Sequence, residues 1–314
     1  MAKRFTIGLV CLALVVVSVE PGRAWGPVGH RVVARIAAKL LTSHAKDKVV
    51  KILEVDSPND GEIADALADA AEWPDSVARD KYEQSQDWHF IDLGAKADAT
   101  KDGALWASDS TAFAKLVKYF WSVKRGGKDE LEPASDLEFL VHLVGDIHQP
   151  LHSATNRDRG GNCLFVTFRT SDGETSARRK LHGTMDSGIL EDRRGSNDRA
   201  IARQLFRDFR ERIEAEMKNA HARIVADPAK AIRAWIEESH ELAVTELYGK
   251  LMPAVPKFVT SHVSSDCHDA APAFKGNKTW NLGKTGTDRA AKLIEQQLIT
   301  AGARLAALLN AASD

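Results

Sequence analysis

Apolar positions recur along most of this chain at helical spacing. In "GHRVVARIAAKLL", Val32, Val33, Ile36, Ala37, Leu40 and Leu41 fall three and four residues apart on one face. "SDLEFLVHLVGDIHQPLH" opens on a cap signal at Ser135 and runs apolar at Leu137, Leu140, Val141 and Val144. It then meets Pro150, which ends or kinks a helix. "TDRAAKLIEQQLITAGARLAALLNA" predicts a long amphipathic helix from about residue 287, and further helices are predicted around 61–72, 109–124, 198–219 and 228–249, with Gly and Pro between them. Strand alternation is scarce. "CLFVTF" (163–168), set between RGG and SDG, predicts at most a short β-hairpin. Residues 253–283, rich in Pro, Ser, Gly and Asp, read as a long surface loop. The expectation is an all-α fold, a single mainly helical domain without internal repeats.

The first 24 residues are different. Lys3 and Arg4 precede an apolar run from Phe5 to Val19, and Gly22 and Ala24 place small residues at −3 and −1 of a cut after Ala24. The run is about 15 residues, short of the roughly 20 that a spanning helix needs. The chain therefore reads as a cleaved signal peptide (1–24) followed by one domain (25–314), secreted or periplasmic and without stable membrane association. Cys11 leaves with the signal. Cys163 and Cys267 remain, either paired in an oxidising compartment or as two buried thiols.

Composition adds little: 44% apolar and 28% charged residues are ordinary for a globular domain that needs no disulfide staples. Charge says more. Removing residues 1–24 takes away Lys3, Arg4, Arg23 and Glu20 and moves the formal charge from −1 to −3. A protein that binds nucleic acid by neutralising phosphates normally has excess Lys and Arg. If this one handles phosphates, something other than net side-chain basicity supplies the positive charge.

The densest run of potential ligands is "HLVGDIHQPLH". His142 and Asp146, at i and i+4, project from one helix face, and His152 follows the turn at Pro150. His148 lies on another face and is not expected to join them. "LHGTMD" repeats the spacing with His182 and Asp186. "WPDSVARD" and "DWHFID" add Asp75, His89 and Asp92, and His30 lies five residues after Trp25. Any one His/Asp pair is commonly a hydrogen-bonded pair with no ligand. Their joint occurrence suits a site with more than one zinc ion, because imidazole and carboxylate together suit that metal. HExxH, GxxxxGK[ST] and GxSxG motifs are absent.

In order, WGPVGH, WPD, WHFID, HLVGDIHQPLH, GGN and LHGTMD closely resemble the secreted, single-strand-preferring zinc nucleases of fungi, plants and bacteria (nuclease S-one and nuclease P-one type), over essentially the whole chain from Trp25. The resemblance implies a mainly helical fold with a trinuclear zinc cleft, related to zinc-dependent phospholipase C. It implies three zinc ions: the first on Asp75, His89, His142 and Asp146, and the second on His152, His182 and Asp186. The third would sit on His30 and the α-amino nitrogen and carbonyl oxygen of Trp25, with Asp146 bridging first and third. It also implies hydrolysis of single-stranded DNA, RNA or 3′-nucleotides by zinc-activated water to 5′-phosphate products. Asp75 and Asp146 become catalytic candidates, and Phe90, Asp92 and Asn162 substrate-binding candidates. Phe90 would stack a nucleobase, its alternative being a core aromatic. No obligate protein partner is implied.

Two positions depart from the family pattern. The family commonly has Arg three residues after the first-zinc Asp. Here Ala78 stands there, and Arg79, one residue on, is the candidate in its place. Met185 stands where Trp is frequent. Two alternatives remain beside the nuclease: a zinc-dependent phospholipase C, whose last ligand pair is typically HxxxE where this chain has HxxxD, and a non-catalytic zinc-binding protein.

Overall fold

The computed structural model describes residues 25–56, 58–78, 81–96, 99–126, 133–257, 267 and 278–314. Arg79, the 1–24 leader and most of the 253–283 loop lie outside the described residues.

The fold is mainly helical. α1 (Pro27–Ala38), α2 (Ser43–Leu53) and α3 (Asp60–Trp73) come first. Thr42 caps α2 by accepting from Ala45 N, and Asn59 caps α3 by accepting from Gly61 N and Glu62 N. A wide π-helical turn (Pro74–Ala78) and a 3₁₀ segment (Glu83–His89) lead to β1 (Leu93–Gly94). α4 (Ala99–Ala107), α5 (Ala112–Lys124) and α6 (Pro133–Ile147) follow. After a 3₁₀ turn (Pro150–His152) come β2 (Ala154–Thr155), β3 (Phe165–Thr167) and β4 (Arg179–Lys180). One helical turn (Leu181–Gly183) widens into a second π-helical turn (Thr184–Gly188) and continues as α7 (Ile189–Arg194). The chain then forms α8 (Asp198–Asp208), α9 (Arg210–Ala226) and α10 (Pro228–Leu242), and ends with β5 (Thr279–Asn281) and α11 (Gly283–Ser313).

The mainly helical fold matches the expectation, with differences in detail. The helix expected over 228–249 is α-helical only to Leu242 and widens into a π-helical segment over Ala243–Leu251. The predicted 198–219 helix is two helices: Phe209 leaves helical geometry at φ −125°, ψ 22° and the chain turns there. The predicted hairpin is instead a three-stranded set. β3 pairs antiparallel with β4 and parallel with β5, while β1 and β2 form a separate parallel pair. Strands of two or three residues are too short to show a period of two. Finally, α11 is amphipathic only at its start. Leu305, Ala306, Ala307 and Leu308 are fully buried, because α1 and α9 both pack on it.

Two ties align the segments that matter below. The β1–β2 pair, with Ile91 N donating to His152 O at 2.8 Å, joins the stretch after His89 to the stretch after His152. A disulfide joins Cys163 to Cys267, resolving the alternative left open by the sequence.

Candidate metal centre

Helix ends and tight turns bring imidazoles and carboxylates from across the chain into one buried region. Three donor groups form: His30, His142 and Asp146; Asp75, His89 and His142; and His152, His182 and Asp186. Within each, the donor atoms lie within 4.8 Å of one another. Asp146 stands at the centre. Its Oδ2 is 2.9 Å from His89 Nδ1 and 3.3 Å from His142 Nε2, and its Oδ1 is 3.4 Å from His30 Nε2. In the third group His152 Nε2 is 3.1 Å from His182 Nε2, which is 3.4 Å from Asp186 Oδ2. Asp75 and Asp186 both sit in the π-helical turns, a widened geometry that is frequent where side chains are set into functional sites.

Backbone carbonyls fix the rings. His142 Nδ1 donates to Ala71 O at 2.7 Å, His152 Nδ1 to His89 O at 2.8 Å and His182 Nδ1 to Gly160 O at 2.6 Å. A carbonyl only accepts, so each Nδ1 carries a proton, and Nε2 is the ring atom left facing the cluster, free to donate a lone pair to a metal once its own proton is displaced. Gln149 Nε2 likewise donates to Asp186 Oδ1 at 2.6 Å. Nothing in the sequence distinguished Gln149, because its role is to hold a ligand candidate in place.

Around His30 the polar groups lack protein partners. Both of its ring nitrogens and Asp146 Oδ1 are buried without a hydrogen bond among the described residues. Such atoms cost about 1–3 kcal/mol each when left unsatisfied, and a cation between His30 Nε2 and Asp146 Oδ1, 3.4 Å apart, removes that cost for these two. Trp25 lies alongside. A Cβ on Gly145 would meet His30 Nδ1 at 2.7 Å and Trp25 Cδ1 at 3.6 Å, so only glycine admits the His30 ring. Gly160, at φ +57°, is enclosed in the same way: a Cβ there would stand 2.5 Å from Leu151 O.

The electrostatics ask for positive charge. Burial opposes protonation of His142, but the carboxylates of Asp146 and Asp75 override it and hold His142 up at about 9. Burial, reinforced by His142, drives His30 down to about 3, and burial raises Asp186 well above the usual carboxylate range. A divalent metal satisfies these demands together, with imidazoles neutral and carboxylates ionised. The donor set of imidazole and carboxylate fits zinc.

The substrate-binding candidates border this cluster in sequence. Phe90 is half-buried and stands outside the packed core of described residues, unlike its neighbours Trp88 and Ile91. Asn162 Nδ2 donates to Arg159 O at 2.9 Å, in the loop whose Gly160 carbonyl holds His182. Arg157 and Arg159 in that loop adopt left-handed φ of 61° and 56°. Buried Asp158 braces the loop by accepting from Asn156 N and from the Tyr248 hydroxyl, each at 3.1 Å. The family's arginine place is closed here: Ala78 is fully buried. Met185 is buried in the core between His182 and Asp186. His148 points away, donating to Val144 O and accepting from Arg304 Nη1 at 3.1 Å.

Burial, and then the nearby Asp158 carboxylate, push Asp92 up to about 7. The folded chain thus holds that proton more tightly than the unfolded chain does. Stability is full below pH about 3.8 and falls as pH rises to about 7. Asp92→Asn is expected to raise stability near pH 8 by up to about 4 kcal/mol and to leave it nearly unchanged near pH 4. Urea unfolding at the two pH values checks this, and an equal difference at both would contradict it.

The S1/P1 nuclease family profile matches residues 25–314, a span that includes every residue of the cluster. The chain belongs to the S1/P1 nuclease family. It is 31% identical to nuclease S1 of Aspergillus oryzae over 197 residues, covering 60% of this chain and 63% of that protein. It is 26% identical to nuclease P1 of Penicillium citrinum over 301 residues, covering 91% and 97%. Endonuclease 2 of Arabidopsis thaliana is 28% identical over 178 residues, covering 53% and 56%. The chain therefore spans less than two thirds of nuclease S1 and of Endonuclease 2, and nearly all of nuclease P1. Membership of the S1/P1 family favours the nuclease reading over the phospholipase.

Proposed function

We propose that this chain is an exported zinc-dependent nuclease that hydrolyses single-stranded DNA and RNA to 5′-phosphate products and removes phosphate from 3′-nucleotides. The observation that carries the reading is the presence, among the described residues, of three buried groups of imidazole and carboxylate donors in an S1/P1 family chain.

Three zinc ions would be held as follows: Asp75, His89, His142 and Asp146; His152, His182 and Asp186; and His30 with the α-amino nitrogen and carbonyl oxygen of Trp25. Asp146 is shared, in keeping with its two oxygens facing opposite sets of imidazoles. Zinc supplies Lewis acidity, which offsets phosphoryl charge and makes water a nucleophile near neutral pH. The carbonyl-anchored imidazoles keep the donor atoms preorganised. Phe90 offers a ring for a nucleobase, Asp92 a polar edge beside it, and Asn162 a polar group from the loop at His182. An unpaired base reaches such a ring without the cost of unstacking a duplex, which favours single strands. Export is supported by the signal pattern, by the disulfide and by a family match that begins at Trp25. No described helix is long and apolar enough to cross a membrane.

EDTA is expected to abolish hydrolysis of single-stranded DNA, zinc to restore it better than magnesium, and phosphatidylcholine to remain uncut. Hydrolysis that survives exhaustive chelation would contradict the metal reading. Lipid cleavage without DNA cleavage would contradict the substrate.

A further inference from the structure

The far end of the α1–α3 pair opposes the overall sign of the chain. A surface cleft of about 550 Å³ lies between the C-terminal end of α1, the start of α3, and α8 with the start of α9. Its cations are Arg35, Lys39, Lys46, Arg199, Arg203 and Arg210, against the acids Asp60, Asp65 and Glu214. Each acid is already engaged. Asp60 takes Lys46 at 2.6 Å, Asp65 takes Arg35 and Arg199 at 2.6 Å each, and Glu214 takes Arg210 at 2.7 Å. Arg35 is further held by Asp198. The side chains of Lys39 and Arg203, both exposed, form no hydrogen bond or ion pair among the described residues. Between them Phe206 presents a half-buried ring, with the Lys39 ammonium 5.5 Å from its centroid.

A basic groove with an aromatic ring is the arrangement that tracks a single strand: cations meet phosphates, and the ring takes a base of any identity. The cleft is joined to the metal cluster by α1. Lys39 follows His30 by nine residues, roughly 13 Å along a helix axis, a distance that a few nucleotides of an extended single strand span.

We infer that this cleft is an exosite for the phosphate backbone of a single-stranded nucleic acid, with Lys39 and Arg203 contacting phosphates of the strand whose scissile bond lies at the metal cluster. The inference rests on the proposed nuclease reading for its ligand class. It gives an acidic chain local basic purchase on a polyanion without adding net positive charge.

The test compares wild type with Lys39→Glu/Arg203→Glu and with the milder Lys39→Gln/Arg203→Gln. Both changes lie at exposed positions, and circular dichroism verifies folding. Binding of a long fluorescent phosphorothioate oligothymidylate, which resists cleavage, to the zinc-loaded protein is measured by anisotropy across a salt series. Both variants are expected to bind about tenfold or more weakly at low salt. Because two phosphates then go unneutralised, the slope of log K against log salt becomes shallower by about 1.4. With zinc, KM for the long strand rises in parallel, while kcat and KM for a 3′-mononucleotide, too short to reach the cleft, stay at wild-type values. Unchanged binding and salt slope in both variants would overturn the exosite even if the enzyme cleaves DNA normally. If the zinc-loaded wild type cleaves no nucleic acid but the variants still lose strand binding, the exosite stands and the nuclease reading falls.

Discussion

Asp146→Asn is expected to lower turnover on single-stranded DNA by about a thousandfold and to release bound metal, with the fold retained. Asp146 Oδ2 serves His89 and His142, and Oδ1 faces His30 without a hydrogen-bond partner among the described residues. Asparagine keeps the shape, loses the charge that two of the proposed zinc sites would share, and turns one ligand atom into an N–H₂ that cannot coordinate. Losing about 4 kcal/mol of charge stabilisation in the reacting complex corresponds to about 10³ in rate. The substitution is nearly isosteric, so circular dichroism should match wild type while elemental analysis shows lost metal. A variant with full metal content and near-normal turnover would remove Asp146 from the centre of the account.

Leaving Ala24 attached to Trp25 is expected to reduce activity by about a hundredfold and to remove one metal. A free α-amine exists at residue 25 only after the bond to Ala24 is cut. Before that, the nitrogen is an amide, which is a poor metal ligand. The residue is well placed for the role: Trp25 is fully buried, its side chain packs beside Gly145 and His30, and the adjacent Gly26 N donates to Asp186 O at 3.2 Å. Among the described residues the donor group containing His30 has only His142 and Asp146 besides it, so the proposed third metal would depend most on the terminus. Metal content and kcat are to be compared between mature protein and protein retaining Ala24. Equal values would mean that the amine is no ligand, and Trp25 would then be a packing residue.

Much of this centre was legible because helical spacing links sequence to space. His142 with Asp146 and His182 with Asp186 are four residues apart, and both pairs meet in the structure at 3.3–3.4 Å. The same rule excluded His148, which bonds Val144 O and Arg304. Pro150 ended α6 and let His152 turn inward. What stayed hidden was whatever no side chain encodes locally. The carbonyls of Ala71, His89 and Gly160 that fix the rings are carried by residues of any type, set in place by tertiary packing. The π-helical turns at Asp75 and Asp186 leave no periodic trace. Asp158 reads as an ordinary loop acid, and only its burial beside Tyr248 reveals that it braces the loop behind His182. The basic cleft also escaped notice, since its charges come from α1, α2, α3, α8 and α9 and cancel in the total.

The most direct test is zinc counting by elemental analysis on protein whose N-terminus is sequenced as Trp25, coupled to an assay on single-stranded DNA. The account predicts three zinc ions per chain and activity that rises with their occupancy. Full hydrolysis with one zinc or fewer per chain would contradict it.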